Sequence, residues 1–152
     1  MTALDDLHEV IATEAQLTEG LAAILRQQQE AIIHNRAEDL HTLLERSEEM
    51  IQPIHALEKE RLRLANLVAG GTGDVSGQMG QVASYTDILS YLSQKDAESI
   101  AAVIERLRLA SREVLAVNQL NKPLLEHAQY FIKQTLRAAT DDYKKNLIDK
   151  RM

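Results

Sequence analysis

From Asp96 to Leu136 the chain reads DAESIAAVIERLRLASREVLAVNQLNKPLLEHAQYFIKQTL. Apolar residues recur through it at helical spacing: Ile100, Val103, Ile104, Leu107, Val114, Leu115, Leu125, Ala128, Ile132 and Leu136. This periodicity predicts one long amphipathic helix, about 96–139. A helix of that length owes its stability to partners along its apolar face rather than to local propensity. Any fold for this chain must therefore supply helices to cover it.

Two asparagines interrupt the stripe. Asn118 and Asn121 lie three residues apart, on the same side as Val114 and Leu125, and Pro123 follows at once. On that spacing both belong to the face turned toward other helices, a structural polar core. Buried amides are costly unless hydrogen-bonded. They can fix helix register, as polar core residues do in coiled coils. They can equally bond a partner's backbone or cap carbonyls freed by Pro123, which has no N–H and bends a helix.

Composition agrees with helices throughout. The 152 residues include one Phe, four Tyr and no Trp, and Leu, Ala, Glu, Gln and Arg dominate. These are strong helix formers, and little is left to build strands. The expected fold is all-α: an antiparallel helical bundle or coiled-coil hairpin, a short third helix and a long C-terminal helix, forming a single domain over 1–152. Helix one, about 3–33, starts from Thr2 as N-cap with Asp5 and Asp6 in its first turn. Gly20 lies in its middle, where close packing is the simplest reading, and Gln27, Gln28 and Gln29 read as a solvated face. His34, Asn35 and Arg36 form a short break, so helix two, about 36–68, returns antiparallel. Pro53 falls inside it.

Residues 69–81 hold five of the six glycines and predict a flexible connector. They lack the Gly-Lys-Ser/Thr and strand context of a phosphate loop. A short helix at 85–93 follows, then Asp96 as cap of the long helix, and a tail at 140–152.

Most chemistries find little support in these residues. Without cysteine there are no disulfides and no thiol nucleophile. Glu38 and His41 have the Glu-x-x-His spacing of di-iron bundles, and Asp5 and His8 a carboxylate version. On the helical wheel these groups point away from the apolar faces. No nucleophile–base arrangement is evident, so no enzyme, metal or cofactor is expected. The net charge of −6 is divided into thirteen Asp/Glu against six Lys/Arg up to Leu64, and ten against eleven beyond it. Neither half offers the basic face of a nucleic-acid binder. The acidic N-terminus is unlike a signal peptide, and no apolar run reaches the ~20 residues of a membrane span. A soluble, cytoplasmic protein is expected.

A second stripe runs along the opposite side of the long helix: Leu109, Ala116, Leu120 and Tyr130, with Ala102 at its start and Phe131 on its flank. A solvated helix would not need it. Another helix of the same bundle, a second copy in a homodimer, or a partner could cover it.

Three stretches are similar to the FlgN-type flagellar export chaperones. They are the hairpin EAIIHNRAEDLHTLLERSEEMIQPIHALEKERLRL with its Glu58-x-x-Arg61; VNQLNKPLL with Asn118, Asn121, Leu124 and Leu125; and the tail, from Thr140 to Tyr143 and LIDKRM. The resemblance implies a cytoplasmic chaperone of flagellar type III secretion. It would bind the C-terminal helical segments of hook-associated (hook–filament junction) proteins and deliver them to the flagellar export gate. It also implies Tyr143 as the residue that docks at the gate. With it, Leu109, Ala116, Leu120, Tyr130 and Phe131 become the expected client-binding residues. A structural coiled-coil assembly subunit without client-chaperone activity is the alternative.

Overall fold

The computed structural model describes residues 2–70, 85–90 and 92–151, the side chains of 85–87 and 142–151 excepted. The expected connector lies outside the described residues apart from Ala69 and Gly70. Four helices are described: α1 (Ala3–Ile33), α2 (Ala37–Val68), α3 (Tyr85–Ser90) and α4 (Gln94–Arg151).

Local chemistry sets the helix ends. Thr2 caps α1 in a capping box, its hydroxyl accepting from Asp5 N–H while the Asp5 carboxylate accepts from Thr2 N–H. Those hydrogen bonds hold the Asp5 pKa below its ordinary value, the backbone one foremost. Asn35 has φ 54°, the left-handed conformation that asparagine tolerates. It ends α1 in a Schellman turn, Arg36 N–H donating to Ala31 C=O and Asn35 N–H to Ile32 C=O. Helix α2 then starts at Arg36 without a side-chain cap.

At the start of α4 the cap is Ser93, whose hydroxyl accepts from Asp96 N–H. Asp96 is thus a first-turn acid, three residues inside the cap, where the expectation made it the cap itself. Short α3 ends at Ser90, earlier than expected, and Leu92 and Ser93 are not helical. Helix α4 passes through Pro123 and runs on to Arg151. The separate tail expected from 140 is a continuation of that helix.

Helix α1 is the shared wall. It packs against α2 on one side and α4 on the other, whereas α2 and α4 make no close backbone approach among the described residues. Twelve α1 residues are buried against four of α2, as a helix with two neighbours requires. Helix α2 runs antiparallel to α1, Leu64 lying beside Leu7, while α4 runs parallel, Ile100 and Ile104 beside Ile11. Farther along, Val117 meets Leu21 and Leu25. Small residues make these contacts close: Ala15, Ala22, Ala31, Ala65 and Ala110 are all buried.

The α1–α4 seam uses Ile100, Ile104, Leu107, Ala110 and Val117, whereas Leu115, expected in it, is 60% exposed. Gln28 is also corrected: it is buried, with its side-chain amide donating to Leu43 C=O of α2 at 3.1 Å.

At Gly20 a β-carbon would sit 3.1 Å from Met50 Cε, the free end of a flexible side chain. Since that end can rotate aside, the helix-propensity gain should win. Gly20→Ala should raise stability by about 0.5 kcal/mol, and at most ~1, as measured by urea unfolding.

Candidate functional site

The two asparagines part company in the fold. Asn121 is 5% exposed, and its Nδ2 donates to Leu25 C=O of α1 at 2.8 Å. That bond fixes the amide orientation, because the flipped form would set two oxygens face to face. Its Oδ1 is buried with no hydrogen-bond partner. Asn118 is exposed. The expected two-residue polar core is therefore built on Asn121 alone, with Asn118 at the edge of a cavity the two share. The sequence put them on one side, but three residues on a helix are about 60° apart, enough to carry Asn118 out of the seam.

That cavity, about 230 Å³, has Gln28 and Ile32 of α1, Leu40 and Leu44 of α2, and Asn118, Asn121, Lys122 and Leu125 of α4 around it. A second cavity of about 300 Å³ shares Ile32 and Leu40 with it and continues past the hairpin turn to Ala128, Phe131 and Ile132. Together they form a groove between α2 and α4 at the hairpin end of the molecule.

Beyond the groove α4 outruns its cover. At 1.5 Å per residue the 31 residues of α1 span about 46 Å, and the 58 of α4 about 87 Å. Ile132 and Leu136 fall on the line of Val117, Asn121 and Ala128, yet they are 54% and 61% exposed because the hairpin has ended. The opposite stripe is open as well: Leu109 is 56% exposed, Leu120 57%, Tyr130 62% and Phe131 65%, and Ala116 is also exposed. Among the described residues no helix of this chain covers that stripe. Tyr143 lies on α4, and its side chain is outside the described residues.

Arg61, of the Glu58-x-x-Arg61 pair, crosses to α1. Its Nε donates to Glu14 Oε2 at 2.7 Å and its Nη2 to Oε1 at 3.4 Å. Glu14 is 4% exposed, an acid on α1 that a search for apolar spacing passes over. Exposed ion pairs, Arg26–Glu113 and Arg106–Glu19, tie α1 to α4, and solvent screening keeps such pairs weak. Glu38 and His41 are exposed, and no group of three His, Cys, Asp or Glu among the described residues could hold a metal ion. Nor is any described helix long and apolar enough to cross a membrane.

The family model for the FlgN protein matches residues 1–147. The chain belongs to the FlgN family. No curated protein and no solved structure matches it. As a FlgN-family protein it is a flagellar export chaperone, which binds flagellar export substrates. In this FlgN-family chain the groove lies beside an apolar surface of α4 that no described helix covers.

Burial raises the Glu14 pKa, outweighing the Arg61 hydrogen bond and charge that lower it. A raised carboxyl contributes stability that is full below the unfolded value, near 4.5, and is lost as pH rises through the folded value. Arg61 stays charged throughout, so, the loss of the ion pair with it aside, the pH dependence of the difference between wild type and Glu14→Gln follows the Glu14 titration. The melting temperature of the wild type minus that of Glu14→Gln should therefore fall as pH is raised from below 4.5 toward neutrality. A constant difference would contradict the raised pKa.

Proposed function

We propose that this protein is a cytoplasmic chaperone for hook-associated proteins, binding their C-terminal helical segments on α4 and delivering them to the export gate. One observation carries the reading. Of the ten large hydrophobic residues most exposed on the described chain, seven lie on α4: Leu109, Leu115, Leu120, Tyr130, Phe131, Ile132 and Leu136. A surface so apolar on one helix suits a partner that lays its own apolar face against it. Leu109, Ala116, Leu120, Tyr130 and Phe131 are the proposed client contacts, joined by Ile132 and Leu136 where the hairpin ends. The protein acts by covering the client's aggregation-prone helix, with no catalytic step.

Leu120→Asp or Tyr130→Asp should weaken binding of a C-terminal fragment of a hook-associated protein by roughly ten-fold or more. Both residues are more than half exposed, so helical content by circular dichroism should be unchanged. Unaltered affinity in both variants would remove this stripe from the binding surface. A stable oligomer in sedimentation with no client binding would favour a structural coiled-coil subunit instead.

Tyr143, carried over by resemblance, is the proposed docking residue at the gate. Tyr143→Ala should leave the affinity for the client fragment unchanged while lowering export of the client in cells. Loss of client binding in that variant would move Tyr143 into the client surface.

A further inference from the structure

The two halves of α4 are held very differently. Toward α3 the helix is clamped: α3 touches both α2 and α4, and Ile100, Ile104 and Leu107 are buried in one cluster with Ile88, Leu7 and Leu64. Beyond Val117 the hold weakens. Leu125 and Ala128 are half-buried, and every residue from Gln129 to Asp141 is exposed.

Three features coincide within about one turn at this transition. Pro123 has no N–H, so the carbonyl of Gln119 lacks its helical donor, and the ring crowds that carbonyl. Asn121, in the seam with α1, keeps its Oδ1 buried without a hydrogen-bond partner. The cavity of about 230 Å³ lies alongside, with Asn118, Asn121, Lys122 and Leu125 on its α4 side. The missing backbone bond removes stiffness along the helix. The unpaired oxygen makes the seam easiest to part at this point, because parting admits water to it. The empty space leaves the helix room to move.

The direction of movement follows from the helical wheel. Pro123 is two residues from both Asn121 and Leu125, which puts it about 200° round the helix from each, and it is exposed. It therefore stands on the side of α4 away from α1. Its ring opens the helix on that side, so a bend there carries the distal half toward the hairpin turn. Between the two lies the second cavity, about 300 Å³, with Asn35, Arg36 and Leu40 on one side and Ala128, Phe131 and Ile132 on the other. A bend of about 20° at Pro123 moves Ile132 by about 5 Å, enough to close much of that cavity.

We infer that α4 carries a hinge at Asn121–Pro123, on which its distal half rocks between a form open at the hairpin end and a form closed onto the turn. With the cavity present, the conformation seen is the open one. In the closed form Phe131 and Ile132 cover Ile32 and Leu40. In the open form the groove and the distal apolar surface are accessible together. The hinge belongs to the free chain and stands independently of the identity of any partner.

The test uses the full-length protein alone. The chain has no cysteine, so two introduced cysteines place spin labels uniquely. Glu38→Cys with Lys133→Cys reports across the hinge, and Glu38→Cys with Ser111→Cys reports within the packed half; all three positions are exposed. Double electron–electron resonance should give a distance distribution about 5 Å broader for the first pair than for the second. Pro123→Ala restores the N–H at an exposed position with a better helix former, so it folds, and it should narrow the first pair to the breadth of the second. A first pair no broader than the second, or a breadth that survives Pro123→Ala, overturns the hinge.

Asn121→Leu removes the unpaired oxygen at similar volume. It should slow hydrogen–deuterium exchange over residues 119–128 roughly ten-fold. Exchange that is unchanged or faster there overturns the part given to Asn121.

Discussion

Everything in this fold leans on the two-sided burial of α1. A helix with one apolar stripe can cover one neighbour, but α1 buries Leu7, Ile11, Ala15, Ala22, Leu25 and Ile32 around enough of its circumference to hold two. Consequently α2 and α4 are attached to α1 rather than to each other. The space between them has to be filled separately. Helix α3 does so at one end, and at the other the groove is open. The same arrangement leaves the last part of α4 without a neighbour, because the wall it packs on stops at Ile33.

Polar groups mark where the packing changes character. Near the α3 end, Glu14 is buried and answered by Arg61 from α2. Breaking such a pair by removing one partner costs about 3–5 kcal/mol, so it holds the hairpin closed more than it adds net stability. Near the groove, Gln28 is answered by Leu43 C=O, and Asn121 is answered on its donor side only. An unpaired buried acceptor costs about 1–3 kcal/mol. That cost lies where Asn121 borders the groove.

Much of this was legible in the residues, and the failures are informative. The helices, the hairpin turn at Asn35 and the Thr2 cap follow from periodicity and capping chemistry. Asn121 was visible as a polar residue in an apolar stripe. Its neighbour Asn118 was misplaced because a stripe written in threes and fours is wider than the seam it packs into. The alanines that set the close contacts, and Val117, are hard to read from sequence because small side chains mark a helix face weakly. Gln28 reads as solvated within its glutamine run, and Glu14 carries no sequence signal of burial; both are buried because a second helix packs on α1. The apolar stripe that marks the long helix gives out after Leu136, so the residues from 140 read as a tail, although α4 continues to Arg151.

The account turns on the groove and the open end of α4 being one binding surface, and hydrogen–deuterium exchange of the full-length protein would test it most directly. Addition of a C-terminal fragment of a hook-associated protein should slow exchange over residues 28–44 and 118–136 together. Exchange over 3–15 and 96–107, where α3 already completes the packing, should be unchanged. Protection confined to 96–107, or absent from 118–136 when the fragment is bound, would contradict it.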